Sequence, residues 1–257
     1  MSGKPRGVRP EGQAIGGVVR GGKEDGWRMF AAEAAYAESI FRCGLGDIKG
    51  SIAALQHSLK MLPAYAPAII SMGSIEYQRG RRVRGRRLFL SLLDLPDDTT
   101  DLCEIIDEAG DFLIQFRAYA DGLELFQGAV NRFPKVAVFH QGVGCCAGHQ
   151  GRHDEAIAAS HAALALEPAN QKLLNDLGWS LYLAGRKDEA RTVLERAVAM
   201  DPTYELAAEN LRLCYGGPEA PQPPKVVRRR RGVGERRRAR TKKAAAAQGE
   251  FDLAAGR

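Results

Sequence analysis

Residues 139–206 contain one 34-residue pattern twice, and this repetition constrains the fold more than any other feature of the sequence. A shift of 34 residues superposes Gly144 on Gly178, Gly151 on Gly185, Asp154-Glu155-Ala156 on Asp188-Glu189-Ala190, Ala163 on Ala197, and Glu167-Pro168 on Asp201-Pro202. A fixed period of this length is typical of proteins built from stacked helical repeats. The sequence therefore predicts an all-α fold, an α-solenoid in which each repeat is a helix-turn-helix unit.

The period continues upstream of these two units. Gly46 lies 34 residues before Gly80, and the helical pattern begins near residues 27–30. About three extra residues interrupt the period near Pro96, after which it resumes. We therefore predict about five repeats over residues 30–206, followed by a capping helix over residues 204–214, because the last repeat must cover its apolar face.

Two local features depart from the pattern. Thr100 or Asp101 is expected to cap the helix that follows the insertion, because an oxygen-bearing side chain there accepts free amide hydrogens. Arg117 stands where the other repeats have a glycine between their two helices, so we expect a right-handed backbone at this turn.

The repeats also alternate small and large residues in a way that predicts their packing. In the second to fifth repeats the first helix carries a glycine where the second helix must come close; these glycines are Gly73, Gly110, Gly144 and Gly178, and Ser39 replaces the glycine in the first repeat. The second helix carries a large residue that fills the space, namely Leu55, Phe89, Phe126 and Leu194. Ser160 takes this position in the fourth repeat and predicts looser packing there.

The units resemble tetratricopeptide repeats, and the residues that carry the resemblance most closely are Leu177, Gly178, Leu181, Ala190, Leu194 and Pro202. The resemblance covers about residues 30 to 206 and is weaker in the first two repeats. It implies a right-handed superhelix whose concave groove is lined by the first helix of each repeat. In tetratricopeptide proteins such a groove receives an extended peptide or a partner helix.

Carried over by register, the resemblance assigns groove positions to every repeat. They are Tyr36 and Ile40; Ile70, Ser74 and Tyr77; Glu104, Asp107 and Asp111; Gln141, Cys145 and His149; and Lys172, Asn175, Trp179 and Tyr182. The peptide-binding residues that we select from this set are Asp107, Asp111, Gln141, Cys145, His149, Lys172, Asn175, Trp179 and Tyr182. The implied groove is acidic in the middle and aromatic at its C-terminal end, which suits a protein or peptide partner with basic residues and an apolar anchor. The alternative is that the acids form an ordinary solvated face.

The net charge of +6 is divided unevenly along the 257 residues. Residues 216–257 hold 12 basic and 4 acidic residues, and residues 1–29 hold 6 and 3, so the repeats between them carry a small negative charge. Because both termini are poor in apolar residues, we expect disordered basic tails at 1–29 and 216–257 around a repeat domain at 30–215.

The C-terminal tail contains an arginine-rich run that is expected to bind phosphates by charge, without recognising nucleotide sequence. Its basic residues are Arg228, Arg229, Arg230, Arg231, Arg236, Arg237, Arg238, Arg240, Lys242 and Lys243. Three alternatives stay open: the tail binds nucleic acid or a ribosome, it folds back into the acidic groove, or it serves only solubility. A second basic cluster, residues 79–87, is able to extend a phosphate-facing surface.

The remaining patterns argue against several functional classes. No apolar run is long enough for a membrane helix, and the N-terminus lacks the apolar core of a secretory signal, so we expect a cytoplasmic protein. Five cysteines without a CxxC spacing favour reduced thiols. Cys145 and His149 lie one helical turn apart, but the spacing of the nearby histidines is not that of a zinc site. We find no catalytic motif, and we predict a non-enzymatic protein without cofactor or metal; its oligomeric state is left open.

Overall fold

The computed structural model describes the backbone of residues 23–216 and the side chains of residues 26–216. This part of the chain contains eleven α-helices and no strand. They are α1 (Lys23–Gly44), α2 (Ile48–Met61), α3 (Ala66–Gln78), α4 (Arg82–Leu90), α5 (Leu102–Gln115), α6 (Tyr119–Arg132), α7 (Ala137–His149), α8 (His153–Leu166), α9 (Gln171–Leu183), α10 (Lys187–Met200) and α11 (Glu205–Cys214). A short 3₁₀-helix, Ser91–Asp94, extends α4 towards the insertion.

The helices form five antiparallel pairs followed by a single helix. Each odd-numbered helix packs against the even-numbered helix that follows it, and α3, α5, α7, α9 and α11 also contact one another in succession. The odd-numbered helices therefore form one layer and the even-numbered helices the other. The predicted α-solenoid of five repeats is confirmed, with α11 in the place of the capping helix.

The turns inside the five repeats share one backbone geometry. The residue at the turn has a positive φ in every repeat: Gly46, Gly80, Arg117, Gly151 and Gly185, with φ between 60° and 81°. In each turn an amide donates to the carbonyl five residues earlier, as Ala118 does to Leu113 at 2.8 Å, which is the Schellman closure of a helix. The expectation of a right-handed backbone at Arg117 is therefore wrong, because this closure requires the left-handed conformation whatever the residue.

The insertion also differs from expectation. Asp101 precedes α5 with a φ of 57°, and neither its carboxylate nor the Thr100 hydroxyl makes a capping hydrogen bond to that helix. A capping residue ordinarily has an extended backbone, so the left-handed conformation of Asp101 moves its carboxylate away from the first-turn amides. The predicted cap is wrong. At the N-terminal end of the array, α1 begins at Lys23, which is before the predicted start of the first helix near residues 27–30.

The large residues on the second helices are buried as predicted. Leu55, Phe89, Phe126 and Leu194 are each 1% exposed or less. A Cβ atom built on Gly73 would lie 2.6 Å from the Phe89 ring, and one built on Gly178 would lie 2.5 Å from Leu194. Glycine is required at these positions because the facing side chain occupies the space of a methyl group. In the fourth repeat a Cβ atom built on Gly144 would lie 3.2 Å from the Ser160 hydroxyl oxygen, so the smaller side chain leaves more space there.

Candidate functional site

The odd-numbered helices line a long concave groove with a volume of about 3040 Å³. Its walls run from Met29, Glu33 and Tyr36 on α1 to Leu206 and Asn210 on α11. The insertion loop between the 3₁₀-helix and α5 forms part of the rim. The groove therefore spans all five repeats, and its length suits an extended segment better than a compact small molecule.

The charges that line the groove are almost all negative. Nine carboxylate side chains line it: Glu33, Asp98, Asp101, Glu104, Asp107, Glu108, Asp111, Glu167 and Asp176. Among the described lining residues, Lys172 is the one lysine and there is no arginine. Four of the acids project from α5 at positions 104, 107, 108 and 111, which form one face of a helix at the spacing i, i+3, i+4 and i+7. The negative charge is therefore concentrated on the third repeat.

The structure places eight of the nine selected groove residues in the groove wall. These are Asp107, Asp111, Gln141, Cys145, His149, Lys172, Asn175 and Trp179. Tyr182 is not in the wall: its ring packs on Trp179 at 5.5 Å and lies 5.6 Å from the Lys187 ammonium, on the side of α10. Ile40, Ser74 and Tyr77 also lie outside the lining.

Tyr77 is a core residue. It is 1% exposed, its ring stacks on Phe89 at 5.6 Å, and its hydroxyl donates to Asp121 at 2.8 Å. Burial, followed by this carboxylate, raises the pKa of Tyr77. Tyr77 and Tyr182, which the repeat register assigns to the groove, therefore lie outside its wall.

Sequence reasoning also missed groove residues. Glu108 and Asp176 lie two residues before the helix-A glycines, and both line the groove. The signal was available, because a helical face consists of positions i, i+3, i+4 and i+7, and Asp107 and Asp111 already mark that face of α5. Asp176 also accepts a hydrogen bond from the Gln141 amide at 2.6 Å, which connects α7 to α9 across the groove wall.

The C-terminal end of the groove is built by α9 and α11. The Asn210 amide donates to Asn175 at 2.9 Å, and both side chains are buried, so α11 is fixed to α9 by a polar contact inside the array. The Asn170 side chain caps α9 by accepting from the amide of Lys172 at 3.0 Å. These contacts hold the half-buried Trp179 ring at the groove surface, where Leu183 and Tyr204 also line the wall.

His149 lies in the groove wall at the end of α7. Its ring stacks on Tyr119 with 4.1 Å between the ring centroids. Burial lowers the pKa of His149, and the nearby Arg117 guanidinium lowers it further. Folding therefore favours the neutral form of the His149 imidazole.

Within residues 23–216, no three His, Cys, Asp or Glu side chains are grouped so that they could hold a metal ion. No helix in the same range combines the length and apolar character needed to cross a membrane. The Cys146 side chain lies in the core and is 0% exposed, and this burial raises the pKa of its thiol.

The predicted phosphate-binding residues, Arg228 to Lys243, lie outside the described residues, as do residues 1–22. The second basic cluster is described, and it lies on α4 and the turn before it, in the outer layer. Arg86 of this cluster bonds Glu124 on α6 at 2.6 Å. Arg79, Arg82, Arg84 and Arg87 are exposed.

Comparison with known proteins agrees with this geometry. A family model described as tetratricopeptide repeat matches residues 149–212. The small glutamine-rich tetratricopeptide repeat-containing protein 2 of Mycosarcoma maydis is 24% identical over 115 residues, which cover 45% of this chain and 33% of that protein. The aligned part of the chain thus spans about a third of the length of this curated relative.

Two solved structures are similar to this chain to different degrees. The crystal structure of YrrB, a TPR protein with an unusual peptide-binding site, matches with a TM-score of 0.50 and 17% identity, over 70% of this chain and 92% of that chain. A thermophilic TPR protein of Thermus thermophilus, TTC0263, matches with a TM-score of 0.43 and 18% identity, over 72% of this chain and 99% of that chain. At such identities the match to YrrB shows a shared fold and nothing finer.

Proposed function

Because the chain is a tetratricopeptide repeat protein, we propose that it is a non-enzymatic adaptor that binds a basic segment of a partner protein in its groove. The observation that carries this proposal is the charge of the groove wall, with nine carboxylates against one lysine. A cleft lined by one sign of charge concentrates its field and attracts ligands of the opposite sign. The peptide-binding site named for YrrB is in keeping with a peptide ligand.

The middle and the C-terminal end of the groove suggest different contacts for such a segment. Lysine or arginine side chains of the ligand would pair with the acids on α5. An apolar side chain would pack on Trp179, because an aromatic ring in a concave wall offers a large contact area at a low cost in conformational entropy. The proposed ligand therefore has basic residues and an apolar anchor nearer the C-terminal repeats.

The charge requirement is testable with a synthetic probe. A fluorescein-labelled peptide of about 15 residues, rich in Lys and Arg and containing one Leu, is titrated with the full chain in about 50 mM salt, and binding is followed by anisotropy. Asp107→Asn/Asp111→Asn should weaken binding by about 5- to 30-fold, since each exposed ion pair contributes up to about 1 kcal/mol.

The matched control changes the same number of charges outside the groove. Asp154→Asn/Asp188→Asn replaces two exposed acids at the starts of α8 and α10 and should leave the affinity within about twofold. Equal losses in the two double variants would show that the peptide responds to total charge and not to the groove, and the proposal would fail.

Trp179 offers a direct readout of the groove. The chain has two tryptophans, so Trp27→Phe leaves Trp179 as the single indole reporter. The probe peptide should change the emission of this variant with the affinity measured by anisotropy. Trp179→Ala should weaken binding of the Leu-containing peptide but not of the same peptide with Leu replaced by Ser; an equal effect on both peptides contradicts the apolar anchor.

A second candidate function is phosphate binding by the arginine-rich tail. The exposed arginine cluster on α4 favours it, since this cluster would enlarge a cationic surface. Filter retention of RNA by the full chain and by a chain lacking residues 219–257 tests the tail, and equal retention by both rules it out. The same two proteins, titrated with the basic peptide, test whether the tail occupies the groove: removing a competing tail raises the peptide affinity, and an unchanged affinity excludes this competition.

A further inference from the structure

The outer face of α1 carries a continuous apolar stripe. We call this the N-terminal stripe, and it consists of Trp27, Phe30, Ala34, Ala37, Phe41 and Leu45. Successive members are three or four residues apart, so the five members within α1 lie on one side of the helix, and Leu45 follows directly after its last residue, Gly44. The exposed fractions of the large members are 64% for Trp27, 63% for Phe30, 68% for Phe41 and 70% for Leu45.

The stripe lies where the array offers no packing partner. The opposite face of α1 is buried on α2, with Ala32 and Ala35 at 0% and 4% exposure, and the Ser58 hydroxyl donates to the Ala32 carbonyl. Later first helices such as α3 and α7 also pack against the second helix of the preceding repeat. Within the described residues α1 has no preceding helix, so the N-terminal stripe is the surface that such a helix would cover.

The two ends of the solenoid expose different kinds of residue. At the C-terminal end, α11 exposes Glu205, Glu209 and Arg212, which is the polar outer face expected of a cap. At the N-terminal end, the corresponding outer face is aromatic. Contiguous apolar patches of this kind on a folded protein mark an interaction surface.

The area of the stripe fits a protein interface. Aromatic side chains bury roughly 150–250 Å² each, so three rings that are about two-thirds exposed present roughly 300–500 Å². A standard interface buries about 800 Å² on each partner, and somewhat more than half of that area is apolar. The three rings together with Leu45 therefore supply about the apolar area that one side of a stable dimer needs.

The spacing along the stripe is symmetric about a point between Ala35 and Tyr36. An antiparallel copy of α1 centred there would place Phe30 opposite Phe41, Ala34 opposite Ala37, and Trp27 beside Leu45 of the other copy. Large residues would meet at the two ends, and small residues in the middle would let the helices approach closely. On this basis we propose that two copies of the chain associate through the N-terminal stripe, with their α1 helices antiparallel.

The charged residues beside the stripe are compatible with this pairing. Arg42 bonds Glu38 at 2.8 Å and Asp47 at 3.0 Å within its own chain, so it does not require a partner across the interface. Polar groups that are satisfied at the edge of an apolar patch form the rim of an ordinary interface. The dimer would join two grooves in one assembly, which would raise the avidity for a partner with two basic segments.

The oligomeric state of the full chain tests the proposal. Light scattering coupled to size exclusion should give twice the monomer mass at about 100 μM. Phe30→Glu/Phe41→Glu should raise the dimer dissociation constant at least about 30-fold, since charged residues replace two buried aromatic rings in each copy. Val83→Glu, which alters a residue 74% exposed on α4, is the matched control and should leave the dimer intact.

Several results would overturn the proposal. They are a wild-type chain that stays monomeric at this concentration, or a double variant that is as dimeric as wild type while circular dichroism shows native helicity. A monomer that becomes a dimer when residues 1–22 are deleted would assign the stripe to that N-terminal segment, which contains no aromatic residue. Any of these outcomes excludes the dimer in the full chain.

The antiparallel orientation has its own test. A chain with Phe30→Lys and a chain with Phe41→Glu should each lose the dimer, because each homodimer would bury two charges against apolar rings. Mixed together, the two chains should form a heterodimer, since the antiparallel pairing brings the new opposite charges face to face and leaves the other Phe30–Phe41 contact intact. Failure of the mixture to associate contradicts this arrangement.

Discussion

Phe126 connects two repeats, and its truncation provides a quantitative test of the packing. Its ring is 1% exposed and lies between α5 and α7, facing Gly110 on one side and Gly142 on the other. A Cβ atom at Gly142 would come within 2.5 Å of the ring, so the two helix backbones approach the ring directly. Phe126→Ala would therefore open a cavity between the third and fourth repeats.

The expected cost follows from two terms. The lost burial of the apolar ring costs about 1.5–3 kcal/mol, and the cavity adds about 24 cal/mol for each Å³ that the surroundings do not fill. Phe-to-Ala changes in cores cost about 3–5 kcal/mol in total. Because Gly110 and Gly142 form the cavity walls and have no side chains that could fill the space by changing rotamer, we expect about 4 kcal/mol.

Urea unfolding followed by far-UV circular dichroism measures this cost. The matched control is Ser160→Ala, at the equivalent position of the fourth repeat. The Ser160 hydroxyl donates to the Ala156 carbonyl of its own helix at 2.8 Å, so its loss should change the free energy of unfolding by less than about 1 kcal/mol. A cost below about 1 kcal/mol for Phe126→Ala, with an unchanged m-value, would refute the packing argument.

Three further changes test local features. Gly178→Ala should destabilise the fold by about 1–3 kcal/mol, because the added methyl group would lie 2.5 Å from Leu194. Gly148→Ala should stabilise it by about 0.5–1 kcal/mol, because the nearest neighbour of the added methyl group lies at 3.8 Å. Urea unfolding of both variants measures this contrast. Arg117→Gly should stabilise the fold by about 0.5–1 kcal/mol. The left-handed backbone costs a residue with a side chain about 1–2 kcal/mol, and the greater conformational entropy of glycine in the unfolded chain cancels part of the gain. A destabilised variant contradicts this expectation. Folding lowers the pKa of His149, so the unfolded chain binds the proton more tightly, and the free energy of unfolding should fall as the pH drops below about 6.5. His149→Gln should lose this pH dependence. A variant with the same pH dependence as wild type excludes the effect.

The fold could be predicted from the sequence because its main determinants are periodic. Gly178 and Leu194 recur at fixed offsets in the other repeats, and the structure brings each such pair into contact. What the period could not supply were the local exceptions. The left-handed backbone at Arg117 and Asp101 follows from how the chain closes one helix and starts the next, and residue preferences alone favour the opposite conformation.

The groove was predictable in part. Asp107 and Trp179, which lie near the helix-A glycines, line the wall, whereas Tyr77 and Tyr182, which the repeat register also assigned to the groove, lie outside it. Tyr77 packs on Phe89, and Tyr182 packs on Trp179 beside Lys187; the repeat pattern did not specify these contacts. The i, i+3, i+4 and i+7 face marked by Asp107 and Asp111 would have included Glu108.

The same helices contribute residues to the core and to the groove, and α5 does both. Gly110 on α5 faces the Phe126 ring, while Asp107 and Asp111 on the same helix line the groove. A cavity at Phe126 would free α5 to shift against α7 and would move these carboxylates, so it should lower both stability and affinity for a basic peptide. Asp107→Asn/Asp111→Asn removes charge without touching the ring, so it should lower the affinity alone. The comparison of these two variants distinguishes a groove that binds through its charges from one that responds only to the integrity of the array.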